Sequence, residues 1–352
     1  MKTAPSDWHQ QLAQRITTQE CLEEWGEVSS SERQAIRATP FSLLITPYYA
    51  NLLKNPALRR TVVPLSNELS RSENEFSDPL GEEDHRATPH LIHTYPDKAL
   101  FLATSHCAVH CRYCTRSRLV GKESPVSSDF EESFRYLETH TEIRDVLVSG
   151  GDPLTLSDEK LNEILGRIRA IPHIRTLRVG SKVPAVLPMR ITSNLCSLLR
   201  RHQVWLSLHF THPAELTPAC RSACRMLLDH GIPMVSQTVL LKGINDDIKI
   251  LEALFYGLLE TGVKPYYLLQ CDPIQGSASF RTPVEEGIAL IRALHGRISG
   301  LAVPQFVIDA PGGGGKVPIL SPQQIRREGD FVFFKNREEI EFSYPDKPIE
   351  KA

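Results

Sequence analysis

Six short apolar segments, each with the character of a β-strand, recur along the middle of the chain and alternate with helical patterns. Ser157, Thr217 and Asn245 stand where a polar side chain could cap a following helix. Strands that alternate with helices and are buried on both faces are typical of a parallel sheet. No signal of a reversed strand order occurs, so the sequence predicts an α/β fold with a partial (β/α)6 barrel curved like a TIM barrel. The segments are residues 99–103, 145–149, 176–180, 204–208, 233–239 and 264–269.

Three regions are predicted along the chain. Residues 1–95 have the pattern of helices and loops, and the stretch 74–96 indicates a surface connection because it is rich in acidic residues, proline and histidine without periodicity. Residues 96–300 form the barrel. Residues 301–352 form a C-terminal segment that contains a glycine run and a hairpin over residues 331–342.

Composition excludes several classes of protein. The formal net charge is -2, which gives no general attraction to nucleic acid or to a membrane surface. No apolar run approaches the roughly 18 residues of a membrane-spanning helix. Eight cysteines in 352 residues are too sparse for a disulfide scaffold. We therefore expect a cytoplasmic protein that has neither nucleic acid nor membrane as a partner.

Cys107, Cys111 and Cys114 form a C-x3-C-x2-C motif directly after the first apolar segment. Structural zinc sites and electron-transfer iron–sulfur sites usually have four protein ligands, whereas three thiolates leave a coordination position open for substrate. The motif therefore predicts a catalytic metal cluster at the barrel rim formed by the carboxyl ends of the strands. The alternatives are a zinc site completed by His106 or His110, and three unrelated cysteines on a loop.

Glycine and polar residues also stand at the ends of later strands. Gly150 and Gly151 would let the backbone approach a ligand, and Asp152 adds a negative charge suited to a ligand ammonium. Gly-Gly-Asp is also an ordinary turn, the residues on later strands could be packed polar side chains, and His212 could equally be structural. The predicted ligand-binding residues are Ser149, Gly150, Gly151, Asp152, Ser181, His209 and Gln237.

Four consecutive glycines precede Lys316. They allow the backbone to pass close to a ligand and give the lysine a mobile base. A phosphate-binding P-loop fits poorly, because Val317 replaces the magnesium-binding Ser or Thr and Pro318 follows where a helix should begin. A lysine that forms a Schiff base with pyridoxal phosphate fits better, because such a lysine must release the cofactor to a substrate amine.

With this cysteine motif on a barrel rim, the chain resembles the radical S-adenosylmethionine enzymes over nearly its whole length. The resemblance implies that the three cysteines hold a [4Fe-4S] cluster whose fourth iron binds S-adenosylmethionine. It implies that the Ser-Gly-Gly-Asp run beginning at Ser149 holds the methionine amino group. Ser181, His209 and Gln237 would contact the rest of the nucleotide, and Tyr113 matches an aromatic residue that shields the cluster.

The glycine-rich lysine segment narrows the resemblance to the lysine 2,3-aminomutase family, which also uses pyridoxal phosphate. Lys316 then matches the catalytic lysine that binds this cofactor, and Arg116 matches the arginine that binds the substrate carboxylate. Asp272 and Asp309 match two aspartates that grip the distal ammonium of lysine. An ammonium drawn from water needs compensating charge, and two anions would not suit the side chain of glutamate.

The resemblance implies an isomerase that converts L-lysine to β-lysine by 2,3-amino migration. The substrate amine would be joined to pyridoxal phosphate as an aldimine, while a 5′-deoxyadenosyl radical removes a hydrogen from Cβ. A reductant such as flavodoxin or ferredoxin and a homo-oligomeric assembly are expected. Alternatives are the same chemistry on another amino acid such as arginine, or on a protein-bound lysine of elongation factor P, and a non-catalytic iron–sulfur or zinc regulatory protein.

Two departures from the family pattern matter. Thr94 stands where the family usually has a basic residue that helps to hold the phosphate of pyridoxal phosphate, so phosphate binding is expected to be rearranged. Longer family members have C-terminal cysteines that bind zinc with a cysteine resembling Cys224. No cysteine follows Cys271 here, so no zinc is expected.

Overall fold

A curved, largely parallel sheet organises the chain. The computed structural model describes residues 4–39, 41–70, 72–121, 129–319, 326–335 and 339–345. Within these residues the strands are β1 (Arg86–Thr88), β2 (Leu91–Tyr95), β3 (Lys98–Thr104), β4 (Asp145–Gly150), β5 (Thr176–Ser181), β6 (Trp205–His209), β7 (Met234–Leu240), β8 (Val263–Gln270), β9 (Gln305–Ala310), β10 (Gly315–Pro318), β11 (Arg326–Glu328), β12 (Phe331–Lys335) and β13 (Glu341–Pro345).

Strands β1 to β10 form one sheet in sequence order. Strands β3 to β9 are parallel to one another, β1 and β2 join one margin in antiparallel fashion, and β10 joins the other margin antiparallel to β9. All six predicted strands are present as β3 to β8, which confirms the partial barrel. The sheet crosses both predicted region boundaries, because β1 and β2 lie before residue 96 and β9 and β10 after residue 300.

Helices connect the parallel strands of the sheet, and five short helices lie in the N-terminal region. They are α1 (Trp8–Ala13), α2 (Gln19–Glu23), α3 (Ser30–Ala38), α4 (Pro47–Ala50), α5 (Pro56–Val62), α6 (Glu131–Thr139), α7 (Asp158–Arg169), α8 (Val183–Val186), α9 (Ser193–Arg201), α10 (Pro218–Asp229), α11 (Ile248–Glu260) and α12 (Val284–Leu294). No described helix is long and apolar enough to cross a membrane.

Two of the three predicted helix caps are confirmed. The hydroxyl of Ser157 accepts a hydrogen bond from Lys160 N, and that of Thr217 accepts one from Cys220 N. The prediction for Asn245 is wrong, because Asp247 caps α11. The Asn245 side chain is buried instead, where its amide donates to the carbonyl oxygens of Thr211 and Val239.

Several inward-facing positions of the barrel strands carry polar or small side chains that line a cavity. On β4 the outward residues Val146 and Val148 are fully buried in the main core, whereas Ser149 lines an internal cavity. The same alternation places Gly180 of β5 and Ser207 of β6 on the cavity wall. Side chains of this kind leave room for ligands that a Val/Ile/Leu-filled barrel would not have.

The two margins of the open sheet meet at Tyr95, the last residue of β2. Its hydroxyl accepts a hydrogen bond of 2.8 Å from the backbone N–H of Lys316 on β10. A side chain at Gly315 would place Cβ only 2.9 Å from the Tyr95 ring, so glycine is required for this approach. The contact brings β10 and its lysine against the beginning of the barrel.

The C-terminal strands β11, β12 and β13 form a separate antiparallel sheet. The pairing of β12 with β13 confirms the predicted hairpin strands. The predicted turn falls partly on residues 336–338, which lie outside the described residues.

Two mid-helix glycines give opposite predictions for stability. A Cβ at Gly287 of α12 would lie 2.3 Å from the Phe306 ring of β9, whereas a Cβ at Gly166 of α7 would meet nothing nearer than 3.5 Å. We expect Gly287→Ala to lower the free energy of unfolding by about 1–3 kcal/mol through overpacking. Gly166→Ala should raise it by about 0.5–1 kcal/mol because alanine loses less backbone entropy. Denaturant unfolding of both variants checks this, and equal effects would contradict the packing.

Candidate active site

An internal cavity of about 500 Å³ is lined by residues of the barrel strands and of the loops at their carboxyl ends. All the residues predicted to bind metal, cofactor or substrate line it, whereas His212 does not. The Nδ1 atom of His212 instead accepts a hydrogen bond from Ala214 N, which is a structural role. The predicted residues on the cavity wall are Cys107, Cys111, Cys114, Arg116, Ser149, Gly150, Gly151, Asp152, Ser181, His209, Gln237, Asp272, Asp309 and Lys316.

The loop that carries the three cysteines is fixed by the end of β4. Gly151 N donates to Thr104 O at 2.6 Å, and Asp152 N donates to His106 O at 2.8 Å. A Cβ at Gly151 would lie 2.2 Å from that same His106 oxygen. The two glycines at the end of β4 are therefore required by close packing against the cysteine loop, whatever else they contact.

The three predicted cluster ligands lie together in the structure. They share one cavity wall, they are free of disulfides, and burial raises their pKa, that of Cys114 to about 12. Among the described residues no group of three His, Cys, Asp or Glu side chains is arranged to hold a single metal ion.

The zinc alternative lacks support from the neighbouring histidines. His106 is exposed and does not line the cavity. His110 is buried, and its Nδ1 lies 3.0 Å from the Ser42 carbonyl oxygen, away from the cavity wall.

The carboxylate of Asp152 forms most of its hydrogen bonds within the protein. Its carboxylate accepts hydrogen bonds from Ser181 Oγ at 2.8 Å, from Lys182 N at 2.7 Å and from Leu154 N at 3.1 Å. Although these bonds favour the charged form, burial raises the pKa of Asp152. The carboxylate thus ties β4 to β5, and the backbone of this turn forms the cavity surface beside it.

His209 and Gln237 differ in their hydrogen bonding. The amide of Gln237 donates to Ser207 Oγ at 3.1 Å. The Nδ1 of His209 is buried with no partner among the described residues, and its ring lies 6.0 Å from that of Tyr113. Burial, followed by the nearby Lys182 charge, lowers the pKa of His209 to about 3, so the ring is neutral. An unpaired neutral imidazole on the cavity wall is able to bond a polar ligand.

Lys316 is held opposite a carboxylate by strand register. It pairs directly with Asp309 across β9 and β10, and its Nζ forms an ion pair with Asp309 Oδ2. Asp272, at the end of β8, is close enough for the two carboxylates to interact. Burial, reinforced by the charge of Asp309, raises the pKa of Asp272 to about 7. The far end of the cavity therefore has a deficit of positive charge.

Arg116 has a partner that the sequence did not suggest. Its Nε lies 2.8 Å from Glu82 Oε1 and its Nη2 2.7 Å from the same oxygen, while Nη1 donates to Ser149 Oγ at 3.2 Å. Glu82 belongs to the stretch 74–96 that was expected to be a surface connection, yet it is 4% exposed. The signal available in the sequence was the acidic run near residue 82 together with Arg116 and Arg118, two arginines that follow the cysteine motif.

The wall near Thr94 also carries cations. Lys98, at the start of β3, and Arg178, on β5, both line the cavity, and Arg178 Nε donates to Asp145 at 2.8 Å. Positive charge therefore lines the cavity close to Thr94, although that of Arg178 is shared with Asp145.

Two family models match the chain. Residues 101–254 match the model described as radical SAM superfamily, and residues 291–350 match the model described as lysine-2,3-aminomutase. L-lysine 2,3-aminomutase of Fusobacterium nucleatum is 40% identical over 97% of this chain and 82% of that protein. The enzyme of the same name from Acetoanaerobium sticklandii is 42% identical over 97% of this chain and 85% of that protein.

A relative with a different substrate in its name also matches. Glutamate 2,3-aminomutase of Clostridioides difficile is 35% identical over 97% of this chain and 84% of that protein. Among solved structures, Streptococcus suis SuiB bound to S-adenosylmethionine has a TM-score of 0.47 and 10% identity over 61% of this chain and 51% of that chain.

The raised pKa of Asp272 predicts a pH-dependent stability in the cofactor-free protein. The folded pKa of about 7 exceeds the ordinary 3.8, so the stabilisation is complete below about pH 4 and is lost as the pH rises through 7. Relative to Asp272→Asn, the wild type should lose at most about 4 kcal/mol of unfolding free energy across this range, at about 1.4 kcal/mol per pKa unit. Denaturant unfolding at pH 5 and pH 8 measures the change.

The exposed Asp229 provides a control, because Asp229→Asn should leave the pH dependence of the wild type intact. A stability difference between wild type and Asp272→Asn that is the same at both pH values would contradict the assignment.

Proposed function

Since the chain belongs to the lysine 2,3-aminomutase family of the radical SAM superfamily, we propose that its substrate is L-lysine and its product β-lysine. It is an isomerase that uses a [4Fe-4S] cluster, S-adenosylmethionine and pyridoxal phosphate. When bound, the cluster and S-adenosylmethionine supply one-electron removal of hydrogen from carbon, and pyridoxal phosphate supplies a conjugated system for the migrating nitrogen.

Family membership does not choose the substrate, because relatives named for lysine and for glutamate both match at similar coverage. The observation that supports lysine as the substrate is the pair of carboxylates, Asp272 and Asp309, at one end of the cavity. Two half-buried carboxylates favour a cationic side chain and oppose a second carboxylate. A distal ammonium that entered between them would lower the pKa of Asp272 and restore its charged form.

The remaining site residues receive their proposed roles from position on the cavity wall. The three cysteines would hold the cluster at one end, and Lys316 would hold pyridoxal phosphate at the other. Ser149, with the Gly-Gly-Asp turn after it, would face the methionine group of S-adenosylmethionine. Ser181, His209 and Gln237 would face the rest of that nucleotide. Arg116 would bind the carboxylate of the amino acid.

The distal ammonium of the substrate would take over a role that the Lys316 ammonium has in the cofactor-free protein. In the structure the Lys316 ammonium satisfies Asp309. Lys316 would hold pyridoxal phosphate and release it to the substrate amine, and the distal ammonium of lysine would add positive charge beside the two carboxylates. Tyr113, which is 6% exposed, and the apolar residues around it limit the access of water to the cysteine end.

We also propose the cellular setting. All eight cysteines lie within the described part of the chain and none forms a disulfide, which suits the reducing cytoplasm. Flavodoxin or ferredoxin would supply the electron. A homo-oligomer is supported by exposed aromatic side chains on the C-terminal sheet, namely Phe331, Phe342 and Tyr344. The relatives named above give no support to action on elongation factor P or to a non-catalytic regulator.

The proposal predicts substrate preference in the reconstituted enzyme. Anaerobic incubation with iron, sulfide, pyridoxal phosphate, S-adenosylmethionine and dithionite should convert L-lysine to β-lysine, with arginine and glutamate turned over far more slowly. Asp272→Asn should lower kcat/KM for lysine by at least about thirtyfold, because a buried cation would lose a charged partner. Product analysis by mass spectrometry measures this, with Asp229→Asn as the matched surface control.

A preference for glutamate would contradict the role of the carboxylate pair. Unchanged lysine kinetics in Asp272→Asn would remove that residue from the site.

A further inference from the structure

A segment before the barrel, residues 78–85, contacts both functional ends of the cavity. Towards the lysine end, Gly312 N donates to Pro79 O at 3.0 Å, and a Cβ at Gly81 would lie 2.8 Å from the Gly312 carbonyl carbon. A Cβ at Gly313 would lie 2.2 Å from the His85 ring. The segment is therefore packed directly under the glycine run that leads to Lys316.

The same segment supplies a buried anion to the other end. Glu82 accepts from Arg116 Nε through both carboxylate oxygens, at 2.8 and 3.1 Å, and from Arg118 Nη2 at 3.1 Å. Arg118 is further paired with Asp78 at 3.2 Å and with Glu83 at 3.2 Å. Burial disfavours the Glu82 charge, but the two guanidinium groups outweigh it and lower the pKa of Glu82. Glu82 is thus charged, and both of its carboxylate oxygens accept hydrogen bonds from arginine side chains.

This arrangement fixes which edge of the Arg116 guanidinium is free. Its Nε–Nη2 edge is occupied by Glu82, so the group cannot rotate about its long side chain to present that edge elsewhere. The Nη1 atom contacts the hydroxyl of Ser149, which lies on the cavity wall at the end of β4. One edge of the planar guanidinium is therefore held by Glu82, and Nη1 lies beside Ser149 in the lining of the cavity.

We propose that Glu82 is a positioning residue that orients Arg116 so that its Nη1 side receives the α-carboxylate of the substrate. The inference rests on the proposed function, because it takes an amino acid as the ligand of Arg116. Arg116 would contact that carboxylate before and during the reaction alike. Loss of its orientation should therefore raise KM and leave kcat nearly unchanged.

The test compares Glu82→Gln with Glu83→Gln. Glu83 is the adjacent residue, its side chain is 48% exposed, and it contacts Arg86 and Arg118 but not Arg116. With L-lysine, Glu82→Gln should raise KM about tenfold or more with kcat within threefold of wild type. Glu83→Gln should stay within twofold of wild type in both constants.

Equilibrium binding separates positioning from general damage to the fold. Without reductant, the absorbance of the enzyme loaded with pyridoxal phosphate can be titrated with L-lysine and with 1,5-diaminopentane, which lacks only the carboxylate. Glu82→Gln should weaken lysine binding about tenfold and leave diaminopentane binding within twofold. If Glu82→Gln does not fold, Glu82→Asp, which keeps the charge and shortens the side chain, should show the same selectivity.

Several results would overturn the proposal. Equal weakening of both ligands would assign Glu82 a structural role. Tighter lysine binding in Glu82→Gln would show that Glu82 acts as a repelling anion, and behaviour identical to Glu83→Gln would remove it from the site. Absence of lysine turnover in the wild type would instead refute the proposed function, so the two failures are distinguishable.

Discussion

The hydrogen bond between the Tyr95 hydroxyl and the Lys316 N–H decides where the chemistry of this chain can lie. An open sheet has two separate margins, and this bond draws them together across the barrel. It depends on Gly315, whose positive φ of 79° and missing side chain allow the approach. Because β10 returns antiparallel to β9, closure also sets Lys316 opposite Asp309. A residue far from the cysteines in sequence thereby shares their cavity.

The two ends of the cavity are built by different physical means. At the cysteine end, glycines at the end of β4 permit backbone to pack against backbone, and Asp152 joins β4 to β5 through its hydrogen bonds. At the lysine end, charges dominate, with two carboxylates facing one ammonium. Such a deficit of positive charge is unfavourable in the empty protein. A cationic ligand removes this unfavourable free energy, so the site binds a cation more tightly than an anion or a neutral group.

Sequence patterns predicted the parts of the molecule that obey local rules. The apolar runs predicted strands β3 to β8, and the polar residues at the ends of those strands were correctly predicted to line the cavity. Strands β1 and β2 were missed because Arg86–Thr88 is short and mostly polar, and because each strand is defined by a neighbour, β1 by its pairing with β2 and β2 by its pairing with β3. Glu82 was missed because a buried carboxylate in an aperiodic acidic stretch looks like a solvated surface. Its role depends on Arg116, a partner that only the folded chain brings near.

The central claim is that the cysteine end and the lysine end act on one substrate molecule in one cavity. The most direct measurement uses L-lysine deuterated at C3 with the reconstituted enzyme, followed by mass spectrometry of the 5′-deoxyadenosine formed. Deuterium from C3 should appear in 5′-deoxyadenosine alongside labelled β-lysine. Unlabelled 5′-deoxyadenosine formed during lysine turnover would contradict the account, because S-adenosylmethionine would then be cleaved without reaching the substrate carbon.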